Sequence, residues 1–108
     1  MKVTTDNKDL LDLYTTGQCK DKKLNKLQPQ VKRAFVKTIN KLKCYERVEL
    51  MMRDNGLNYE RLSGEGGEFE SVRINLQYRL IIQTSADGEE VTITNVKLIK
   101  ITNHYADL

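Results

Sequence analysis

One histidine, one proline and two cysteines occur in a chain of 108 residues, and these scarcities narrow what the protein can be. Cys19 and Cys44 are too few for a disulfide framework, and with His104 as the single histidine a structural zinc site of the Cys/His type cannot be completed. Both thiols are expected to be free and structural. The longest apolar runs, such as Leu80-Ile81-Ile82, last a few residues, against the roughly 20 that a membrane span needs. Met1 to Asp6 turns acidic without the apolar stretch of a secretory signal, so a cytoplasmic protein with no membrane association is expected. Familiar catalytic signatures are missing too. Ser63-Gly64-Glu65-Gly66-Gly67 lacks the Gly-Lys-Ser/Thr ending of a phosphate-binding loop and precedes a strand, which makes it a hairpin loop. There is no Gly-x-Ser-x-Gly elbow, no His-Glu-x-x-His and no paired aspartate cluster. Any catalysis is expected to proceed without metal or cofactor.

No repeat, low-complexity tract or Pro/Ser linker divides the sequence, so residues 1–108 are expected to form a single domain. Its charge is uneven. Ten of the 18 Lys and Arg lie between Lys20 and Arg47, where only Asp21 and Glu46 oppose them, a local charge of about +8 in a chain whose net charge is +3. A basic half beside an acidic half suits a protein that meets a polyanion with one side, and equally suits a solvated helix face.

Helical patterns come first. Met1 to Thr5 reads as a short strand; Asp6 or Asn7 then caps a helix carrying Leu10, Leu11, Leu13 and Tyr14, which Gly17 ends. Pro29 opens a second helix in which Val31, Phe35, Ile39 and Leu42 form a core-facing stripe, with Arg33, Lys37 and Lys41 turned away. Val48 to Met52 continues as a helical turn until Asp54-Asn55-Gly56. From Tyr59 the period becomes two, with Val72 and Ile74, then Tyr78, Leu80 and Ile82, alternating with polar positions. Asp87-Gly88 signals a hairpin before a strand starting at Val91. The expected architecture is α+β, a small curved antiparallel sheet with two N-terminal helices packed on one face.

The segment from Glu70 to Ile81 carries the most information. A three-residue turn at Asn75 to Gln77 pairs Ile74 with Tyr78 and Val72 with Leu80, apolar against apolar. The same register sets Arg73 opposite Arg79. Like charges facing one another on a sheet are destabilising unless something negative lies between them, and phosphate is the obvious anion. Alternatively the arginines splay apart, or pair with Glu65, Glu68 or Glu70. On this reading, removing either arginine leaves the fold intact or slightly more stable. Phe69 and Ile81 share the arginine face, which makes it a lined groove. His104 and Tyr105 are a candidate proton-transfer pair if the C-terminus returns to that groove, and a surface dipeptide otherwise.

These residues resemble a known family. Leu62-Ser63-Gly64, Val72-Arg73-Ile74-Asn75-Leu76-Gln77-Tyr78-Arg79-Leu80 and the terminal Asn103-His104-Tyr105 are similar to motifs of the HigB (plasmid maintenance killer) toxins of the RelE/ParE superfamily, across roughly residues 26–107. The resemblance implies a type II toxin–antitoxin toxin acting as an mRNA interferase. Such a toxin is a ribosome-dependent endoribonuclease that cleaves messenger RNA through attack of the 2′-hydroxyl without metal, and is restrained by a helix-turn-helix, HigA-like antitoxin. It implies Arg73, Arg79, His104 and Tyr105 as catalytic residues, and Arg61, Lys97, Lys100, Arg33, Lys37 and Lys41 as RNA contacts. Two departures stand out: Ser63 occupies the place of a family lysine, for which Lys97 or Lys100 could substitute, and His104-Tyr105 comes later than the family's terminal motif. The alternatives on the same fold are a ParE-like inhibitor of DNA gyrase and a catalytically inactive interaction module.

Overall fold

A computed structural model describes residues 1–62, 68–89 and 91–103. Strand β1 (Lys2–Thr5) is followed by helices α1 (Lys8–Thr16), α2 (Lys22–Asn25), α3 (Pro29–Cys44) and α4 (Val48–Met52), and then by strands β2 (Glu60–Arg61), β3 (Glu70–Arg73), β4 (Arg79–Ala86) and β5 (Ile93–Thr102). Among the described residues no helix is long and apolar enough to cross a membrane.

The helix boundaries follow from local chemistry. Asn7 takes up the exposed amides of α1, its side chain accepting from Asp9 N at 3.0 Å and Leu10 N at 3.2 Å. Gly17, left-handed at φ 78°, closes the helix by donating to the Leu13 carbonyl. Leu10 and Leu13 are buried, whereas Leu11 is half exposed, so the apolar face is narrower than the sequence pattern suggested. Asp21 caps the short α2, which hydrophobic periodicity did not reveal because four residues hold barely one turn. In α3 the stripe Val31, Phe35, Ile39 and Leu42 is buried as expected. Arg33 and Lys37 are exposed on its outer side. Lys41 forms an ion pair with Asp54 at 2.9 Å.

The sheet order is β1-β5-β4-β3-β2. Strands β2 to β5 form the antiparallel meander, while β1 joins parallel to β5, pairing Val3 with Val96 and Thr5 with Leu98. The sheet is therefore mixed. A parallel neighbour needs a long connection, and the whole chain separates these two strands. Strand β5 starts at Ile93 and leaves Val91 almost fully exposed, two residues later than the sequence pattern placed it. A register irregularity between Ser85 and Ala86 accompanies the late start. A second irregularity skips Ile99, so that Leu98 lies opposite Ile82 and Ile101 opposite Leu80. This extra residue lets Leu98 and Ile101, three apart, both pack on the core side. The glycine-rich hairpin loop of the sequence reading lies outside the described residues, but β2 and β3 pair on either side of it, Arg61 with Glu70.

The core joins Leu10, Leu13, Phe35, Ile39, Leu42, Met51 and Leu57 to Val72, Leu80, Ile82, Val96 and Leu98 of the sheet. The buried faces of α1, α3 and α4 thus pack against one sheet face. Phe35 is fully buried at its centre, and Phe35→Ala is expected to cost about 3–5 kcal/mol in a denaturant melt. Asp54 supplies a second check. The Tyr45 hydroxyl and then Lys41 hold its carboxyl below its usual 3.8. A carboxylate with a depressed folded-state pKa stabilises the fold above the unfolded value and loses that contribution as pH falls through the folded one. Tyr45→Phe is expected to raise the Asp54 pKa in an NMR titration, and to lower stability at neutral pH more than in acid below the folded-state value, where the carboxyl is protonated in both folded and unfolded chains.

Candidate nucleic-acid interface

Strand alternation divides the sheet into two faces. Val72, Leu80 and Ile82 point to the helices, so Ser71, Arg73, Arg79 and Ile81 point away. The register expected from the apolar pairs is the one observed: Val72 lies opposite Leu80 and Arg73 opposite Arg79. The Ile74 amide donates to the Tyr78 carbonyl at 3.0 Å, and the Asn75 side chain accepts from the amides of Gln77 and Tyr78, which shapes the turn between the strands. Strand β5 adds Lys100 opposite Ile81 and Thr102 opposite Arg79, with Lys97 farther along the same face.

The two arginines are held differently. Arg79 donates from Nε to the buried Ser71 hydroxyl at 3.0 Å, and from Nη2 to the Asn58 carbonyl at 2.5 Å and the Ser71 carbonyl at 3.3 Å. These acceptors are neutral oxygens that orient the guanidinium. The Arg73 side chain makes no hydrogen bond or ion pair among the described residues, although its backbone amide donates to the Leu57 carbonyl at 2.6 Å. Glu70 belongs to another set. Its carboxylate accepts from the Tyr59 hydroxyl, from Thr84 N at 2.9 Å and from Thr84 Oγ1 at 2.8 Å. Burial, then the Glu70 hydrogen bond, pushes the Tyr59 phenol up to about 12, so it remains protonated at neutral pH. Glu70 is a structural acceptor within the sheet, and Glu65 lies outside the described residues.

Arg73 and Arg79 line an open cleft of about 280 Å³ together with Asn58, Asn75, Leu76, Gln77, Thr102 and Asn103. The site therefore combines two guanidinium groups with amides and a hydroxyl, and Leu76 stands almost fully exposed at its edge. Such a lining suits a phosphodiester, since guanidinium groups bind phosphate oxygens directionally. A second cleft of about 410 Å³ includes Arg61, Glu68, Phe69, Gln83 and Lys97.

The remaining sequence candidates are spread over the molecule. Lys97 and Lys100 share the arginine face, with Lys97 paired to Asp6 at 2.6 Å. Arg61 is exposed at the second cleft, while Arg33, Lys37 and Lys41 belong to α3, on the other side of the core. His104, Tyr105 and Ser63 lie outside the described residues. Sequence reading missed Asn58, Ser71 and Thr102. Ser71 carried a register signal, because the pairing that faces Arg73 with Arg79 also sets Ser71 beside Ile81, whereas Thr102 is brought opposite Arg79 by the β4–β5 pairing. Asn58 carried only a compositional signal, since asparagine is among the few residues that accept a positive φ readily.

No protein-family model and no curated protein matches the chain. A solved structure does: a YoeB/ParE toxin from Agrobacterium tumefaciens aligns over 97% of this chain and 100% of its own, with a TM-score of 0.53 and 20% sequence identity. The chain has a RelE/ParE-like toxin fold. The similarity is to the fold alone, and it does not bear on the HigB motifs. Within that architecture, the chemistry of the cleft is argued from its own side chains.

The difference between the arginines revises the expectation that both are dispensable for stability. Arg79→Ala leaves the buried Ser71 hydroxyl and the Asn58 carbonyl without their donor and is expected to cost about 1–3 kcal/mol. Arg73→Ala is expected to fall within about 0.5 kcal/mol of wild type. Parallel urea melts of the two variants measure the contrast.

Proposed function

We propose that this chain is the toxin of a type II toxin–antitoxin pair, a HigB-like endoribonuclease that cuts messenger RNA on the ribosome. The carrying observation is the cross-strand pair Arg73–Arg79 in an open cleft, one guanidinium fixed by neutral oxygens and the other without a hydrogen-bond or ion-pair partner among the described residues. In the proposed reaction the 2′-hydroxyl oxygen bonds to the adjacent phosphorus as the bond to the 5′-oxygen breaks. One side chain takes the hydroxyl proton and another protonates the departing oxygen. The arginines stabilise negative charge on the phosphoryl oxygens in the transition state.

His104 and Tyr105 are the proposed proton carriers. Strand β5 is the observation behind this assignment, because it ends at Thr102 opposite Arg79 and Asn103 lines the cleft. Lys97 and Lys100 extend the same face and are proposed RNA contacts, with Arg61 at the neighbouring cleft. Arg33 and Lys37, with Lys41 at the end of the helix face, would provide sequence-independent contacts to the ribosome from the opposite side. A helix-turn-helix antitoxin is the proposed partner.

Primer extension on ribosome-bound messenger tests this reading. His104→Ala is expected to slow cleavage about 10²- to 10⁴-fold and to flatten its pH dependence near neutrality, while ribosome association persists and weakens with added salt. Wild-type cleavage by the variant withdraws His104 from the reaction. Growth arrest with no cleavage by the wild-type protein, accompanied by inhibition of DNA supercoiling, replaces the nuclease with a gyrase inhibitor.

A further inference from the structure

We infer that Asn58 is a positioning residue for the arginine pair, its left-handed backbone turning a carbonyl onto the Arg79 guanidinium. Three consecutive residues tie down the arginine strands. The Leu57 carbonyl accepts from the Arg73 amide, the Asn58 carbonyl accepts from Arg79 Nη2, and the Tyr59 hydroxyl donates to Glu70. Leu57 is itself buried in the core, so the segment is anchored at its first residue.

The backbone geometry explains how two adjacent carbonyls serve two facing strands. In extended chain, successive carbonyls point to opposite sides. Asn58 departs from that geometry with φ 44°, the one non-glycine residue at positive φ among those described. That turn allows the Leu57 carbonyl to meet β3 and the Asn58 carbonyl to meet β4. Strain of this kind persists only where surrounding contacts determine it, and here the buried Leu57 and the Tyr59–Glu70 bond flank it on both sides. Asparagine and glycine tolerate the left-handed region, whereas a β-branched residue is strongly disfavoured there.

Arg79 is thereby clamped from two directions, by Ser71 within its own sheet and by Asn58 from outside it. The consequence for chemistry rests on the proposed reading of the cleft as a phosphodiester site. Arg79 would be held in place before substrate arrives, and Arg73 would remain available to bind it.

Asn58→Gly keeps the backbone and removes the side-chain amide, whereas Asn58→Val opposes the backbone itself. The first readout is the Arg79 Nη2–H resonance of the folded protein, the group that donates to the Asn58 carbonyl. It is expected to keep wild-type hydrogen exchange in Asn58→Gly and to exchange at least about tenfold faster in Asn58→Val, since the clamp holding the guanidinium is lost. An unchanged resonance in Asn58→Val, or its loss in Asn58→Gly, overturns the proposal. If Asn58→Val loses its dispersed spectrum, Asn58→Ala, which disfavours the same backbone less severely, is judged by the same criterion. Messenger cleavage is read alongside: misplacing a reacting group by about 1 Å typically costs on the order of 10²-fold, so Asn58→Val should lose about that much and Asn58→Gly should restore it. Equal loss in both variants makes Asn58 a side-chain contact and overturns the positioning role. No cleavage by the wild-type protein counts against the nuclease reading, and the Arg79 resonance still decides the role of Asn58.

Discussion

The apolar pairing of Val72 with Leu80, buried under the α3 stripe, sets the register on which the candidate site depends. Side chains in a strand alternate, so choosing which residues of β3 and β4 enter the core also chooses which leave it. A slip of one residue would expose Val72 and Leu80 and bury the arginines, exchanging apolar burial for two desolvated charges. The opposition of Arg73 and Arg79 is thus a consequence of core packing, maintained by the burial of side chains on the other face of the same strands. Like charges that would drift apart on an isolated hairpin are held across from each other because the sheet cannot shift without losing its core contacts.

The acceptors described around Arg79 are uncharged oxygens. Ser71 and the Asn58 carbonyl supply oxygens with no net charge, while the buried carboxylate of the same strand, Glu70, is occupied by Tyr59 and Thr84. The separation follows from alternation, because Glu70 shares the side of Val72 and Ser71 shares the side of Arg73. A carboxylate is thereby kept one position away from a cleft whose proposed ligand is an anion. Positive charge on α3 lies on the far side of the core, so the protein offers cationic surfaces of two kinds: a shaped cleft on the sheet and an exposed helix face.

Strand β5 links the two ends of the chain to this arrangement. It lies between β1 and β4, and its last residue pairs with Arg79. The skipped Ile99 keeps both Leu98 and Ile101 in the core while Lys97, Lys100 and Thr102 remain on the arginine face. Without that irregularity, strict alternation would place Leu98 and Ile101 on opposite faces, and one of them would intrude among the polar groups of the cleft side.

Several features depended on local chemistry and were legible in the sequence: the Asn7 and Gly17 boundaries of α1, Pro29 at the start of α3, the buried stripe of α3, and the β3–β4 register with its facing arginines. Each follows from a period, a cap or a turn spanning only a few residues. Other features required distant parts of the chain to meet. The parallel pairing of β1 with β5 joins residues more than ninety positions apart, as with Thr5 and Leu98. The irregularity at Ile99 is chosen by which residues reach the core. The partners of Arg79 were hidden for the same reason: the sequence suggested an anion or a nearby glutamate, but Asn58 reaches Arg79 from 21 positions away through a backbone carbonyl that no side-chain pattern records. Local preferences determine where elements begin and which faces they bury, whereas backbone atoms brought together across the fold determine how the arginines are held.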